Sequence, residues 1–258
     1  MSRKFAPAIE DALDWVASEL PEDLRNFNYA QNYYKHRSNL ADAVETLGDR
    51  KGNILELGCG IGVFSAAIAR LGQNVTALDL VVNKWLPDHG IETVACDILT
   101  EPFPFPDASF DLVTMFDIIE HLHGSPRHAL SEVFRVLRPG GYIIVETPNI
   151  ANLRRRLVLL FGKNPMPIKY FYESPYPFAG HVYEYTGSDL ENAIQWSGFE
   201  ITRSGYSNLL RMCHKTANGY APGLKLQGPE DVAMFAYLAI CKVFPFFKEL
   251  LICIGRRP

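Results

Sequence analysis

The sequence has few cysteines, and no pair of them is spaced to bind zinc. The five cysteines are odd in number and widely separated, and they form no C-x-x-C motif: Cys59, Cys96, Cys213, Cys241 and Cys253. This distribution argues against a disulfide framework and against a cysteine zinc site, and it is typical of a reducing compartment. We therefore expect a cytoplasmic protein.

Long apolar runs and a strong net charge are also lacking. The most apolar stretch, residues 232–247, is shorter than the roughly 20 residues that a membrane span needs, and it contains Lys242 and Pro245. Residues 1–17 mix both signs of charge, unlike a signal peptide. A net charge of −4 gives no general attraction to nucleic acid or to an anionic membrane.

The composition that remains is typical of one soluble domain, with 258 residues of which 48% are apolar and 21% charged. Helical segments alternate with apolar segments that predict strands near 53–57, 74–79, 92–96, 110–116 and 141–147. This alternation predicts an α/β, doubly wound, mostly parallel sheet with helices on both faces. Such sheets bind ligands beyond the carboxyl ends of their strands, where the strand order reverses.

The first predicted strand leads into three glycines at alternate positions: Gly58, Gly60 and Gly62. Glycine adopts positive φ and lets a ligand approach the backbone, although a tight turn that binds nothing remains the alternative. Four predicted strands each end near an acid, which favours a binding site at one edge of the sheet: Glu56, Asp79, Asp97 and Asp117.

The run from Glu56 to Gly62, Glu-Leu-Gly-Cys-Gly-Ile-Gly, resembles motif I of the class I S-adenosylmethionine (SAM) methyltransferases. The segment Leu-Arg-Pro-Gly-Gly at 137–141, which we expect to end a helix and begin a strand, is a second marker of this family. A nicotinamide-binding turn more usually reads G-x-G-x-x-G, but Ser65 occupies the place of its last glycine. The resemblance covers about 53–149 and implies a Rossmann-like sheet of seven strands, the last antiparallel and inserted between the fifth and sixth.

The resemblance also implies how SAM is held. In the family, the acid after the second strand receives the ribose hydroxyls, and the acid after the third receives the adenine amino group. For Asp97, a loop-capping role is the alternative. The implied cofactor-binding residues are Glu56, Gly58, Gly60, Gly62, Asp79, Leu80, Asp97, Ile98 and Phe116.

The segment after the fourth strand carries the candidates for catalysis. Many family members have a Glu-His pair here, so the resemblance implies catalytic roles for Glu120 and His121, the latter as a general base. If a helical turn follows the strand, Asp117 shares their face and, together with His181, completes a site for Mg, Mn, Fe or Zn. Such a site resembles that of the metal-using small-RNA and polyprenyl-quinone O-methyltransferases. Alternatively, Glu120 and His121 only fix the loop.

We predict a single methyltransferase domain over residues 1–258. Its parts are a helical cap at 1–48, a SAM-binding core at 49–147, a lid or acceptor insertion at 148–185, and a C-terminal part of the sheet at 186–258 with an insertion at 207–247.

The predicted function is transfer of a methyl group from SAM to an oxygen, or less readily a carbon or nitrogen, of a small or lipid-linked acceptor. A non-catalytic SAM-binding partner subunit and a nicotinamide oxidoreductase are the alternatives. Basic residues 154–156 form either a solvated face or, with the apolar segment 232–247, a peripheral membrane contact. Nothing outside 154–156 suggests a groove for nucleic acid, and the sequence leaves the oligomeric state open.

Overall fold

The structure is a computed structural model. It describes the backbone of residues 5–25, 29–166, 168–174, 180–207, 213–216, 219–222 and 229–258. Within these ranges the side chains are described except at 25, 29–34, 170, 213–216, 219–222, 229–232 and 234–235. Parts of the predicted helical cap and much of the predicted insertion at 207–247 therefore lie outside the described residues.

Nine strands form one large sheet and one separate hairpin within these ranges. The strands of the large sheet are β1 Asn53–Leu57, β2 Asn74–Asp79, β3 Glu92–Ala95, β4 Phe110–Phe116, β5 Leu137–Pro148, β6 Glu200–Ser207 and β9 Leu250–Arg256. The hairpin consists of β7 Cys213–Thr216 and β8 Gly219–Pro222.

Ten α-helices surround the sheet in the described part of the chain. They are α1 Ala6–Glu19, α2 Glu22–Arg25, α3 Tyr29–Leu47, α4 Val63–Arg70, α5 Trp85–Asp88, α6 Arg127–Val136, α7 Leu153–Leu160, α8 Ile168–Glu173, α9 Gly187–Trp196 and α10 Pro229–Val243. Two 3₁₀ turns lie at Ile119–His121 and Pro245–Phe247. None of the helices described has both the length and the apolar content needed to cross a bilayer.

The sheet has the strand order β3-β2-β1-β4-β5-β9-β6, and all its neighbours are parallel except β9, which is antiparallel to β5 and β6. The predicted insertion of the last strand between the fifth and sixth is thus confirmed. The chain reverses its direction of winding between β1 and β4, so a crevice opens beyond their carboxyl ends.

Successive side chains along the buried strands point to opposite faces of the sheet, so the core is divided between the two faces of the sheet. On β1, Ile54 packs with residues of α1, α3 and α4, whereas Leu55 and Leu57 pack with residues of α6 and α9. Both faces are therefore covered by helices, as the apolar strand sequences predict. This covering leaves the carboxyl edge of the sheet as the exposed rim of the crevice.

One predicted boundary was wrong, and another differs by a single residue. The Arg-Pro-Gly-Gly segment at 138–141 does not precede β5 but lies within it. The N–H of Gly140 donates to the carbonyl of Arg257 (2.8 Å), and the N–H of Arg257 donates to the carbonyl of Gly141 (2.8 Å). This local pairing compensates for the ladder hydrogen bond that Pro139 cannot make. The third strand ends at Ala95, although Cys96 still donates its N–H to the carbonyl of Asp79 (3.0 Å).

Candidate active site

The glycine turn between β1 and α4 forms the floor of the crevice. The N–H groups of Gly58 and Cys59 both donate to the carbonyl of Leu78 (2.7 and 3.2 Å), which ties the turn to β2. Gly58 and Gly60 have φ of 71° and 52°. A Cβ on Gly58 would lie 1.9 Å from the side chain of Ile118, whereas one on Gly60 would meet no atom within 4 Å. Packing therefore requires glycine at 58, while Gly60 keeps space open.

A cavity of about 430 Å³ lies over this turn. It is lined from three strand ends and from α3: Glu56, Gly58, Cys59, Gly60, Ile61, Val63, Phe64, Asp79, Val81, Asn83, Phe116, Asp117, Lys35, His36 and Asn39. Five residues predicted to bind the cofactor are thus brought together here: Glu56, Gly58, Gly60, Asp79 and Phe116. The other four, Gly62, Leu80, Asp97 and Ile98, do not line this cavity.

The acids of the rim have different environments. Glu56 is buried and accepts a hydrogen bond from the hydroxyl of Ser65, and burial raises its pKa to about 8. Asp79 instead accepts the N–H of Gly60 through Oδ2 (2.8 Å), which fixes the glycine turn against the end of β2. Because both acids face the same small space, a positively charged or hydroxyl-bearing ligand is favoured there.

Asp97 makes the local contacts that a loop cap would make. Its carboxylate accepts the N–H of Leu99 (2.9 Å) and the hydroxyl of Thr100 (2.8 Å). Such an Asx-type turn occupies both carboxylate oxygens without a ligand. A role for Asp97 in binding adenine stays a prediction.

A cation on α3 faces the acids across the cavity. Lys35 is 7% exposed; its ammonium contacts the carboxylate of Asp117 and lies 3.6 Å from that of Glu146. Burial raises the pKa of Glu146 to about 7, an effect that the charge of Lys35 opposes. Sequence reasoning singled out neither Lys35 nor Glu146, because their proximity results from packing of a distant helix onto the end of β5.

Beyond Asp117, three predicted residues come together. One ligand atom from each of Glu120, His121 and His181 lies within 4.8 Å of the others, and the two imidazole rings meet edge to face with their centroids 4.8 Å apart. Glu120 is fully buried and accepts the hydroxyl of Thr147 (2.8 Å) through Oε2, while its Oε1 has no hydrogen-bond partner among the described residues. Burial raises the pKa of Glu120. A buried carboxylate oxygen without a partner is a natural position for a cation.

Glu184 orients His181 within this cluster. Its Oε1 lies 2.7 Å from Nδ1 of His181, and both of its oxygens contact the guanidinium of Arg155. Burial lowers the pKa of His181 to about 4, and the charges of His121 and Arg155 add to this effect. A neutral ring that donates from Nδ1 keeps its Nε2 lone pair for a ligand. The only sequence signal for Glu184 is its place three residues after His181.

Asp117, the fourth predicted metal ligand, is not part of the cluster. The prediction placed residues 117–121 on one helical turn, but Asp117 has a φ of 55° and the 3₁₀ turn begins only at Ile119. The left-handed residue separates the two carboxylates, so Asp117 turns to Lys35 while Glu120 faces the histidines. The expected shared face of 117, 120 and 121 was therefore wrong.

Residues 29–204 match the protein family described as "Methyltransferase domain". A Mycolicibacterium smegmatis protein named "Probable S-adenosylmethionine-dependent methyltransferase" is 34% identical over 152 residues, 58% of this chain and 52% of that protein. A ubiquinone biosynthesis O-methyltransferase from Paracidovorax citrulli is 31% identical over 132 residues, 47% of this chain and 52% of that protein. The chain thus spans about half the length of these curated relatives.

Solved structures share the fold. The 1,6-didemethyltoxoflavin-N1-methyltransferase of Burkholderia thailandensis, with bound 1,6-didemethyltoxoflavin and S-adenosylhomocysteine, superposes with a TM-score of 0.55 at 18% identity, covering 100% of this chain and 90% of that one. At this identity the likeness concerns the fold alone. The family match extends over more than half of the sequence and includes the glycine turn, the rim acids and the Glu-His pair. The chain therefore belongs to the methyltransferase-domain family, within the class I SAM-dependent methyltransferases.

Proposed function

We propose that this protein transfers a methyl group from SAM to an oxygen of a small or lipid-linked acceptor. The observation that carries the proposal is the grouping of Glu120, His121 and His181, of which the first two follow closely after Phe116 and Asp117 in the wall of the cavity over the glycine turn. A hydroxyl acceptor must lose a proton as the methyl group arrives, and this cluster supplies groups that assist that loss.

The cavity fits the polar ends of SAM. The open space at Gly60 admits a ligand against the backbone, and the carboxylate of Asp79, which lines the same cavity, can accept hydrogen bonds from ribose hydroxyls. The cation of Lys35 suits a carboxylate, and a nearby ammonium group would favour the ionised form of Glu56, whose pKa burial raises to about 8. When bound, SAM supplies a methyl group already activated on its sulfonium. The protein then needs only to hold the acceptor, exclude water and receive the proton that the acceptor hydroxyl loses.

For the cluster we propose a divalent metal ion held by Glu120, His121 and His181. Two imidazoles and one carboxylate form the ligand set of many catalytic zinc sites and of non-haem iron(II) sites. Two atoms support this assignment: Oε1 of Glu120, which has no hydrogen-bond partner in the described part of the chain, and Nε2 of half-buried His181, whose Nδ1 already bonds Glu184. Each can offer a lone pair to a metal ion. When bound, such an ion lowers the pKa of a nearby hydroxyl. Glu184 and Arg155 then serve to fix the ring of His181.

The relatives support oxygen as the acceptor atom. A ubiquinone biosynthesis O-methyltransferase is among the curated relatives, whereas the toxoflavin enzyme is an N1-methyltransferase that shares the fold at low identity. A carboxylate-and-histidine cluster is needed more for a hydroxyl than for an amine, because a neutral amine attacks without prior loss of a proton. This difference favours oxygen over nitrogen.

The test is methyl transfer from labelled SAM to catechols and hydroxyquinol head groups with and without a prenyl tail. His121→Ala should leave SAM affinity unchanged while turnover falls about 100- to 10,000-fold, the range for losing an acid–base group. His128→Ala is the matched control, since its ring bonds only the carbonyl of Glu101 (2.9 Å) among the contacts described.

Chelation distinguishes the metal from a simple base. Treatment with a chelator should abolish turnover, and Zn²⁺, Fe²⁺ or Mn²⁺ should restore it in the wild type but not in Glu120→Gln. If turnover survived chelation but fell in His121→Ala, His121 would act as a general base without a metal ion, and the proposal of a metal site would be overturned. Tight SAM binding with no transfer to any hydroxyl acceptor would favour the non-catalytic module instead.

A further inference from the structure

Helix α7 exposes apolar side chains although it is anchored next to the catalytic cluster. None of its residues is buried, and Leu160 and the following Phe161 are each 76% exposed. Leu157, Leu160 and Phe161 are spaced three and four residues apart, so they lie on one side of the helix. Single exposed apolar residues are ordinary, but a grouped set of large ones marks an interaction surface.

A second apolar segment lies beside the start of α7. The side chain of Asn149 donates to the carbonyls of Phe246 (3.0 Å) and Lys248 (2.8 Å), which ties the chain before α7 to the 3₁₀ turn after α10. The guanidinium of Arg156 lies 5.6 Å from the ring centroid of Phe247. Val243, Phe244 and Phe246 are exposed here. Together with Leu157, Leu160 and Phe161 they form what we call the basic apolar surface.

The two segments that form this surface contain cations and no acids, although Arg155 pairs with Glu184 and Lys169 with Glu173. Between Glu146 and Glu173 the sequence has no acid but five cations: Arg154, Arg155, Arg156, Lys163 and Lys169. Residues 232–248 likewise contain Lys242 and Lys248 and no acid. The whole chain, by contrast, carries a net charge of −4. Cations are thus concentrated in the two segments that expose apolar side chains.

We infer that the basic apolar surface docks onto an anionic lipid bilayer. Exposed Leu and Phe side chains beside Lys and Arg are the combination by which helices lie in the bilayer interface, with apolar groups among the acyl chains and cations at the head groups. A partner protein would have to present both acids and a pocket for these rings, whereas an anionic bilayer supplies negative head groups and an apolar interior together.

This docking extends the proposed function, because it would place the cluster near a lipid-linked acceptor. Arg155 on α7 contacts Glu184, which in turn holds His181. Its neighbours Arg154 and Arg156 are exposed. One side of α7 is therefore coupled to the catalytic cluster while the rest faces outward.

The test is co-sedimentation of the full chain with vesicles of phosphatidylcholine, either pure or containing phosphatidylglycerol. The wild type should sediment with the mixed vesicles at least about tenfold more strongly than with the pure ones, and salt should weaken the binding. The double variant Leu160→Glu/Phe161→Glu should lose binding by about tenfold or more. The double variant Arg154→Glu/Lys163→Glu should also lose binding by about tenfold or more, because each cation near the bilayer surface strengthens binding roughly fivefold.

Two matched variants control for exposure and charge. Trp196→Glu alters a residue that is 84% exposed on α9, and Lys51→Glu reverses an exposed charge before β1. Both should bind vesicles like the wild type, and all variants should keep SAM affinity if they are folded. Equal losses in control and surface variants would overturn the inference, as would a wild type that ignores mixed vesicles.

The remaining outcomes also separate the two proposals. The wild type could instead self-associate with rising concentration without binding vesicles. If Leu160→Glu abolished that association, the surface would be assigned to a second copy of the chain and the inference of bilayer docking would be overturned. Vesicle binding without methyl transfer would contradict the proposed function but support the inference of bilayer docking. Methyl transfer to soluble acceptors without vesicle binding would support the proposed function but contradict bilayer docking.

Discussion

Single side chains at the rim of the cavity owe their chemistry to burial. Glu56 is a clear case, because desolvation keeps its proton bound at a pH where an exposed glutamate has lost it. Its sequence neighbours predict a strand-end acid but not this pKa. The shift results from burial of the carboxyl, and the hydrogen bonds that Ser65 of α4 donates to it partly oppose the shift.

The shifted pKa of Glu56 predicts how stability changes with pH. With a folded pKa of about 8 and an ordinary value of 4.5, the unfolded chain loses this proton first. The stabilising contribution is therefore complete below pH 4.5, falls by about 1.4 kcal/mol per pH unit as pH rises, and is gone above about 8. Urea unfolding without cofactor should show this decline.

Glu56→Gln is the matched variant for this decline. The amide retains an acceptor for the hydroxyl of Ser65 but cannot titrate, so its stability should be flatter between these pH values. Glu146, whose pKa is raised to about 7, remains in both proteins and cancels in the comparison. Identical slopes for the variant and the wild type would show that Glu56 is not the group responsible.

Residues that sequence reasoning missed share a physical cause. Lys35 and Glu146 lie on different elements, and Glu184 pairs with Arg155, which is 29 residues earlier in the sequence. Neither periodicity nor motif spacing encodes such contacts. The misplacement of Asp117 has another origin, because a non-glycine residue with a φ of 55° carries no local sequence signal.

Among the elements, the strands were the most predictable, because buried parallel strands are short apolar runs with sharp ends. The strands at 53–57, 74–79 and 110–116 lie where the sequence predicts them. Helix α9 has a local start signal as well, because Thr186 and Asp189 form a capping box with both reciprocal hydrogen bonds present. The extension of β5 through residues 137–141 could not be foreseen, since it depends on pairing with the end of β9.

The glycine turn gives a prediction at the same scale. Gly60→Ala and Gly72→Ala each place a methyl group at positive φ, 52° and 91°, with no atom within 4 Å. Both should lower the free energy of unfolding by about 1–2 kcal/mol, the cost of a left-handed alanine. Only Gly60 lines the cavity, so only Gly60→Ala should weaken SAM binding, by about tenfold or more.

Chemical denaturation and SAM titration of both variants measure the two effects separately. Equal weakening of SAM binding in Gly60→Ala and Gly72→Ala would mean that strain in the backbone, rather than occupation of the cavity, is responsible. Unchanged affinity in both would place the cofactor away from the glycine turn.

At the scale of the whole molecule, the sheet order follows from the alternation of strands and helices together with the family resemblance. The seven-stranded sheet brings the ends of β1, β2 and β4 to one crevice, as the positions of Glu56, Asp79 and Phe116 in the cavity wall show. The grouping of Glu120, His121 and His181 was expected only through the family resemblance, because His181 reaches the other two from a segment that follows two helices without strand pattern.

Titration of SAM into the purified chain by calorimetry tests the central claim most directly. We predict saturable binding of one SAM per chain, displaced by S-adenosylhomocysteine. Asp79→Ala should weaken it by about 1–3 kcal/mol, since a hydrogen bond to a charged partner is lost. Absence of heat with SAM, or an affinity that Asp79→Ala leaves unchanged, would contradict the claim that this strand-end crevice holds the cofactor.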